Sequence, residues 1–258
     1  MTLSFSPAPQ PTATVLVSHG YAEHSGRFRP LIDALNAAGL DVFFYDHRGH
    51  GVNLATPLAV DVALLIDDHL TARAEVAGDK RTEKVFCFGH SMGGLVTAAS
   101  VLRDPEGVAG VVLTGPAFLP LPHVSPLAAR AGLALARLVP RLPTVALDAS
   151  LLSHDPKVVA AYQADPMVYT GRVPLLTGAS MAAEGYRFLS RVNEWPDVPA
   201  LVIHGEADGL ADISGSRRFA AAARGCTFNP IPGAYHEVLN EPEGPHLIDE
   251  ICGWIVGH

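Results

Sequence analysis

Cysteine is nearly missing from this chain of 258 residues. Cys87, Cys226 and Cys252 are odd in number and lie on or near apparent core elements. That excludes a disulfide framework and fits a reducing compartment. Basic charge is scarce as well: 18 Lys and Arg stand against 26 Asp and Glu, a formal net charge of −8. Without clustered cations to neutralise phosphates, a nucleic-acid partner is excluded. No basic region followed by an apolar run opens the chain, so no secretory leader is expected, and the protein is expected in the cytoplasm. Internal repeats and low-complexity tracts are also lacking, which argues against a repeat architecture.

What is present is apolar and alternating. At 48% hydrophobic, the chain is long enough for one large α/β domain with a substantial core, and its succession of strand-like and helix-like segments predicts a mostly parallel sheet flanked by helices. Thr14 to Ser18, Asp41 to Tyr45, Lys84 to Phe88, Val108 to Thr114, Ala200 to His204 and Thr227 to Ile231 read as strands. Arg29 to Ala38, ended by Gly39, and Val60 to Val76 read as helices. From Pro116 to about Trp195 the order breaks into many prolines and short apolar helices with no clear strand. We expect a core of 1–115 and 196–258 and an inserted helical cap, or lid, at 116–195.

Gly89-His90-Ser91-Met92-Gly93-Gly94 fits G-x-S-x-G between a β-prone run and a helix-prone one. The bare pattern is weak, and the strand–turn–helix context makes Ser91 a candidate nucleophile. Glycines at 89 and 93 suit so tight a turn, and the helix that follows aims N–H groups at the serine, so Met92 N–H can stabilise an anion there. A serine hydroxyl needs a base and a carboxylate to orient that base, in the order Ser, Asp, His for an α/β-hydrolase. Asp208, in the loop after the strand ending at His204, is the candidate acid. Asp212 is its rival, and either could merely cap the next helix. His236, in the loop after the last strand, is the candidate base. Gly20, after the first core strand, lets the backbone approach a reacting carbonyl, and Tyr21 N–H is the candidate second oxyanion donor.

Ser18-His19-Gly20, Glu23-His24-Ser25-Gly26-Arg27-Phe28, Asp46-His47-Arg48-Gly49-His50-Gly51, the Ser91 motif, Asp165-Pro166-Met167-Val168, His204-Gly205-Glu206-Ala207-Asp208 and Gly233-Ala234-Tyr235-His236-Glu237 together resemble the monoacylglycerol lipase branch of the α/β-hydrolase superfamily over nearly the whole chain. The resemblance implies an α/β-hydrolase fold with a cap, a Ser91–Asp208–His236 triad, an oxyanion hole from Tyr21 and Met92, and hydrolysis of the single ester of a monoacylglycerol to fatty acid and glycerol. Three departures stand out. Only Met1 to Ala13, rich in proline, precede the first core strand where the family has extra antiparallel strands, so shortened edge strands and a lost hairpin are expected. Asn53 replaces a serine, which bears on loop packing. Val158 replaces a carboxylate that in some relatives helps anchor glycerol, although Tyr162 remains, so glycerol recognition rests on less than ester hydrolysis does.

In the cap, Leu127, Leu133, Leu135 and Leu138 spread over a helix whose Arg130 and Arg137 share one face. Either it is an interfacial helix that admits an acyl chain while its arginines meet lipid head groups, or it is an ordinary lid helix packed on the core. The first reading makes Leu133 and Leu135 substrate contacts and brings transient membrane-surface contact through the cap. His90, Tyr162, Glu23 and Arg27 are further candidate substrate contacts. For Glu23 and Arg27 the stronger reading is that they fix the loop carrying Tyr21, and for His90 packing within the elbow is an equal alternative. His47 and His50 do not supply the three or four convergent ligands a metal needs. No cofactor is called for. A lipid ester is the expected substrate, with a carboxylesterase or lysophospholipase as the alternative enzyme and a non-catalytic ligand-binding receptor of the same fold as the alternative class.

Overall fold

The computed structural model describes residues 2–120 and 124–258. The first half runs β1 (Ser4–Ser6), β2 (Ala13–Ser18), α1 (Arg29–Ala37), β3 (Leu40–Tyr45), α2 (Val62–Asp79), β4 (Val85–His90), α3 (Met92–Arg103) and β5 (Gly110–Thr114). Then come α4 (Pro126–Ala136), β6 (Pro143–Ala146), α5 (Pro156–Ala164), β7 (Arg172–Pro174) and α6 (Leu175–Ser190), followed by β8 (Ala200–Gly205), α7 (Ile213–Ala222), β9 (Cys226–Ile231) and α8 (Gly244–Gly257).

The described residues form a seven-stranded sheet in the order β1-β3-β2-β4-β5-β8-β9, parallel throughout except for β1 against β3. Successive residues of a strand point to opposite faces, and here both faces are covered, so the central strands are continuously apolar. Val15, Val17, Phe86, Phe88, Leu201 and Ile203 pack with α1 and α8. Leu16, Cys87, Val111, Leu113 and Val202 pack on the other side with α2, α3, α6 and α7. Two departures from expectation have local reasons. The second helix starts at Val62 rather than Val60 because Asp61 caps it, accepting the Ala63 N–H at 3.1 Å. At the sheet edge, where a lost hairpin was expected, β1 persists as a single antiparallel strand opposite Val42–Phe44. Buried Asp41 fastens that segment by accepting the Ala8 N–H at 2.9 Å, and Arg81 donates to Ala8 O at 2.9 Å.

The stretch between β5 and β8 is not purely helical, which corrects the strand-free reading. β6 and β7 pair antiparallel, with Pro143 opposite Pro174 and Ala146 opposite Arg172. Strands of four and three residues, each with proline at one end, are too short to display alternation. Side chains complete their pairing: Thr144 Oγ1 donates to Val173 O at 2.6 Å, and Arg172 Nε donates to Thr144 O at 2.7 Å. Among the described residues no helix is long and apolar enough to cross a membrane.

Candidate active site

β2 lies between β3 and β4, so the chain leaves its first parallel strand to one side and returns on the other. At such a switch point the loops after β2 and β4 diverge and open a crevice at the carboxyl edge. Ser91 sits in that crevice, between β4 and α3, at φ 53°, a region costly for any residue with a Cβ and common at functional sites. The glycines around it permit the close approach. A Cβ at Gly93 would lie 2.3 Å from His19 O, and one at Gly89 would lie 2.5 Å from Gly93 O.

The three side chains meet. His236 Nε2 is 2.8 Å from Ser91 Oγ, and His236 Nδ1 is 2.7 Å from Asp208 Oδ2. A carboxylate only accepts, so Nδ1 carries the proton and Nε2 is free to take the hydroxyl hydrogen. Asp208 is itself tightly held. Its Oδ1 accepts the N–H groups of Leu210 and Ala211 at 2.8 and 2.9 Å, and its Oδ2 lies 3.1 Å from His204 Nε2. Burial alone would raise this carboxyl; the charge on His236 and hydrogen bonds from both imidazoles outweigh burial and hold it well below the usual carboxylate range. Burial likewise opposes charge on His236, yet Asp208 lifts its pKa above the ordinary histidine value. The rival Asp212 caps α7 instead, accepting the Ser214 N–H at 2.8 Å.

Met92 is the first residue of α3, where an N–H lies beyond the intrahelical ladder. Across from it, a Cβ at Gly20 would stand 3.1 Å from that of Ser91, which puts the Gly20–Tyr21 peptide against the serine. The turn that carries it is braced: Glu23 Oε1 accepts the Gly20 N–H at 2.6 Å, and Tyr21 Oη reaches Leu58 O at 3.4 Å. Arg27 in turn donates to Glu23 Oε2 at 2.6 Å and to both oxygens of Glu237 at 2.6 and 2.8 Å, with its guanidinium 4.8 Å from the Tyr162 ring centre. Burial pushes the Glu23 carboxyl up to about 7 although Arg27 pulls it down. Burial and the neighbouring His236 push His90 down to about 3, so it is neutral; its Nδ1 lies 3.1 Å from both oxygens of Thr114 and its ring centre 5.0 Å from that of His236.

A cavity of about 490 Å³ opens above Ser91 and His236. Glu23, His90, Tyr162 and Glu237 stand at its polar end, and Val124, Val145, Leu147, Leu152, Val173 and Met181 line much of the rest. Three of the expected substrate contacts do not line it. Arg27 faces a small neighbouring cavity because two carboxylates and Tyr162 claim its guanidinium. Leu133 and Leu135 are turned away because α4 lays its small residues Ala128, Ala129 and Gly132 on the cavity, and Leu135 is 58% exposed. Arg137, at the end of the same helix, reaches Asp61 Oδ2 at 3.4 Å.

The segment after β6 is bound to the loop that carries His236. Leu151 O accepts the His236 N–H at 3.3 Å and Leu152 O the Glu237 N–H at 2.8 Å. Buried Glu241 accepts the Tyr235 N–H and His154 Nδ1–H, both at 3.0 Å, while the His154 and Tyr235 rings stack with centres 3.7 Å apart. Sequence reasoning did not assign Glu237, Glu241 or His204 a part in this site. Glu237 adjoins His236, and His204 stands four residues before Asp208, so proximity in the chain was the available signal. Glu241 offered none.

The chain matches the serine aminopeptidase S33 family over residues 9–243. It is 37% identical to a monoacylglycerol lipase of Mycolicibacterium smegmatis, covering 98% of this chain and 91% of the relative, and 31% identical to the monoglyceride lipase of Homo sapiens, covering 97% and 84%. The crystal structure of the Paleococcus ferrophilus monoacylglycerol lipase superposes with a TM-score of 0.87 at 31% identity, all of both chains being covered.

Proposed function

The chain belongs to the monoacylglycerol lipase family of the α/β-hydrolase superfamily, and from that premise we propose that it hydrolyses the ester of monoacylglycerols with Ser91 as nucleophile. The observation that carries the reading is the Ser91–His236–Asp208 relay opening into a largely apolar cavity. Ser91 Oγ attacks the ester carbonyl as His236 Nε2 takes its proton, and Asp208 stabilises the imidazolium so formed. Met92 and Tyr21 N–H groups receive the developing oxyanion. His236 then gives its proton to the departing glycerol oxygen, leaving an acyl-enzyme, which a water activated by the same imidazole cleaves to the fatty acid. The polar end formed by Glu23, His90, Tyr162 and Glu237 suits a hydroxylated alcohol, and the apolar remainder suits the chain.

The cap carries a second element of the proposal. Leu127, Leu138 and Val145 are exposed by 78%, 79% and 64%, with Leu135 and Leu142 also outward. So many large apolar side chains left exposed along one segment suit a binding face, here one that rests on a lipid surface from which a single-chain substrate enters.

The test is a panel of head groups at one fixed acyl chain, with Ser91→Ala as reference. A serine-directed phosphonate should label Ser91 and fail to label the alanine variant, in which turnover falls by up to ~10⁶. Fastest turnover of monoacylglycerol supports the reading. Preference for a lysophospholipid or a simple alkyl ester replaces the alcohol with a phospholipase or carboxylesterase assignment, and labelling at another residue ends the mechanism.

A further inference from the structure

Two helices bare their backbone to the cavity above Ser91. Gly132 of α4 and Gly178 of α6 both line it. A Cβ at Gly132 meets nothing within 4 Å, and one at Gly178 meets Val173 Cγ1 at an ordinary 3.8 Å. Gly185, about two turns further along α6, is a different case: its Cβ would lie 2.4 Å from Phe118 O, so close packing against the β5 exit demands glycine there. No such contact demands it at 132 or 178. Mid-helix glycine weakens a helix relative to alanine, so the packing gives no reason for these two residues, whereas the room they leave in the cavity does.

We infer that Gly132 and Gly178 set the length of acyl chain the protein accepts, by keeping open the part of the cavity that the methylenes of a long chain fill. The inference rests on the proposed acyl transfer at Ser91 and goes beyond it, because it names the positions that decide chain length. A side chain at either glycine enters the cavity from a helix that need not move to admit it. Each methylene it displaces from the apolar wall lowers kcat/KM about fourfold. A leucine, displacing roughly three or four methylenes, lowers long-chain turnover on the order of 10²-fold relative to short-chain turnover.

The experiment compares Gly132→Leu, Gly178→Leu and a control, Gly253→Leu, on butyryl, octanoyl, dodecanoyl and oleoyl monoacylglycerols and on the matching ethyl esters. Gly253 lies on the exposed side of α8, where a Cβ also meets nothing within 4 Å. The expected result is an oleoyl-to-butyryl ratio of kcat/KM lowered by about 10² in the first two variants and unaltered in the control. Equal losses on all chain lengths, no loss, or the same shift in Gly253→Leu overturns the inference. Should either leucine variant fail to fold, Gly132→Ala and Gly178→Ala decide: each favours the helix, and each must still lower the ratio about fourfold. A chain-length shift on ethyl esters with no turnover of monoacylglycerols by the parent protein sustains the inference and removes glycerol from the proposed function.

Discussion

Asp208→Asn replaces one oxygen by an amide nitrogen in a pocket where every neighbour is a donor. On one side stand the Leu210 and Ala211 N–H groups at 2.8 and 2.9 Å; on the other stand His236 Nδ1 at 2.7 Å and His204 Nε2 at 3.1 Å. The new amide must turn its NH₂ toward one pair. Backbone N–H groups cannot move their protons, whereas imidazoles can, so the amide oxygen stays with Leu210 and Ala211 and the NH₂ faces the histidines. His236 then accepts at Nδ1 and carries its proton on Nε2, pointing at Ser91 Oγ, where no base remains. A buried donor left facing a donor would cost the desolvation of both groups, which is why the tautomer gives way. The loss of the correct tautomer and of the charge opposite the imidazolium lowers kcat by about 10⁴, or about 5 kcal/mol of transition-state stabilisation. Steady-state kinetics on a short water-soluble ester, beside imidazole ¹⁵N spectra, check both parts. Asp212→Asn, which keeps its cap on α7, should lose less than about tenfold. A loss below about a hundredfold in Asp208→Asn, retention of the proton on Nδ1, or greater damage from Asp212→Asn would refute the reasoning.

Two further outcomes follow from the site and the cap. Because Asp208 lifts the His236 pKa, kcat/KM should fall as pH drops through an apparent pKa above the ordinary ~6.5 of histidine; in Asp208→Asn that acid limb should move to lower pH, since the largest contribution favouring the imidazolium is gone while burial still opposes it and only the smaller pull of Glu237 and Glu23 remains, and a limb that moves upward or stays in place contradicts this. Leu127→Asp with Leu138→Asp, both on the outward side of the cap, should weaken sedimentation with lipid vesicles and slow turnover of vesicle-borne substrate while a soluble ester is hydrolysed as before; unchanged vesicle binding removes the lipid-facing role of this surface.

The sheet is legible in the chain because its central strands are buried on both faces, so each appears as a short apolar run closed by glycine or a polar loop. Ser91, Asp208 and His236 can be picked out for a related reason: Ser91 and Asp208 follow the carboxyl ends of such runs, His236 follows that of the half-exposed edge strand β9, and the parallel order gathers those ends at one edge. The cap obeys no such rule. β6 and β7 hold their shape through Pro143, Thr144, Arg172 and Pro174 pairing with one another, a contact across more than two dozen residues that no local pattern announces. On α4 the leucines suggest an inward face, but distance between helices follows the side chains at their contact, and the alanines and glycine win the inner position. Which face of an apolar helix turns inward is decided by its neighbour, and that neighbour, α6, lies about forty residues further along the chain.

The bonds from Leu151, Leu152 and His154 to the loop of His236 have a consequence for how such proteins can be recombined. A cap excised between the end of β5 and the start of β8 and replaced by that of a relative would arrive without its own fastening to the His236 loop, so a graft chosen for its substrate preference would also misplace the imidazole. Transplanting specificity therefore requires carrying residues 151–154 and 235–241 together, two stretches far apart in the gene that behave as one cassette in the folded chain.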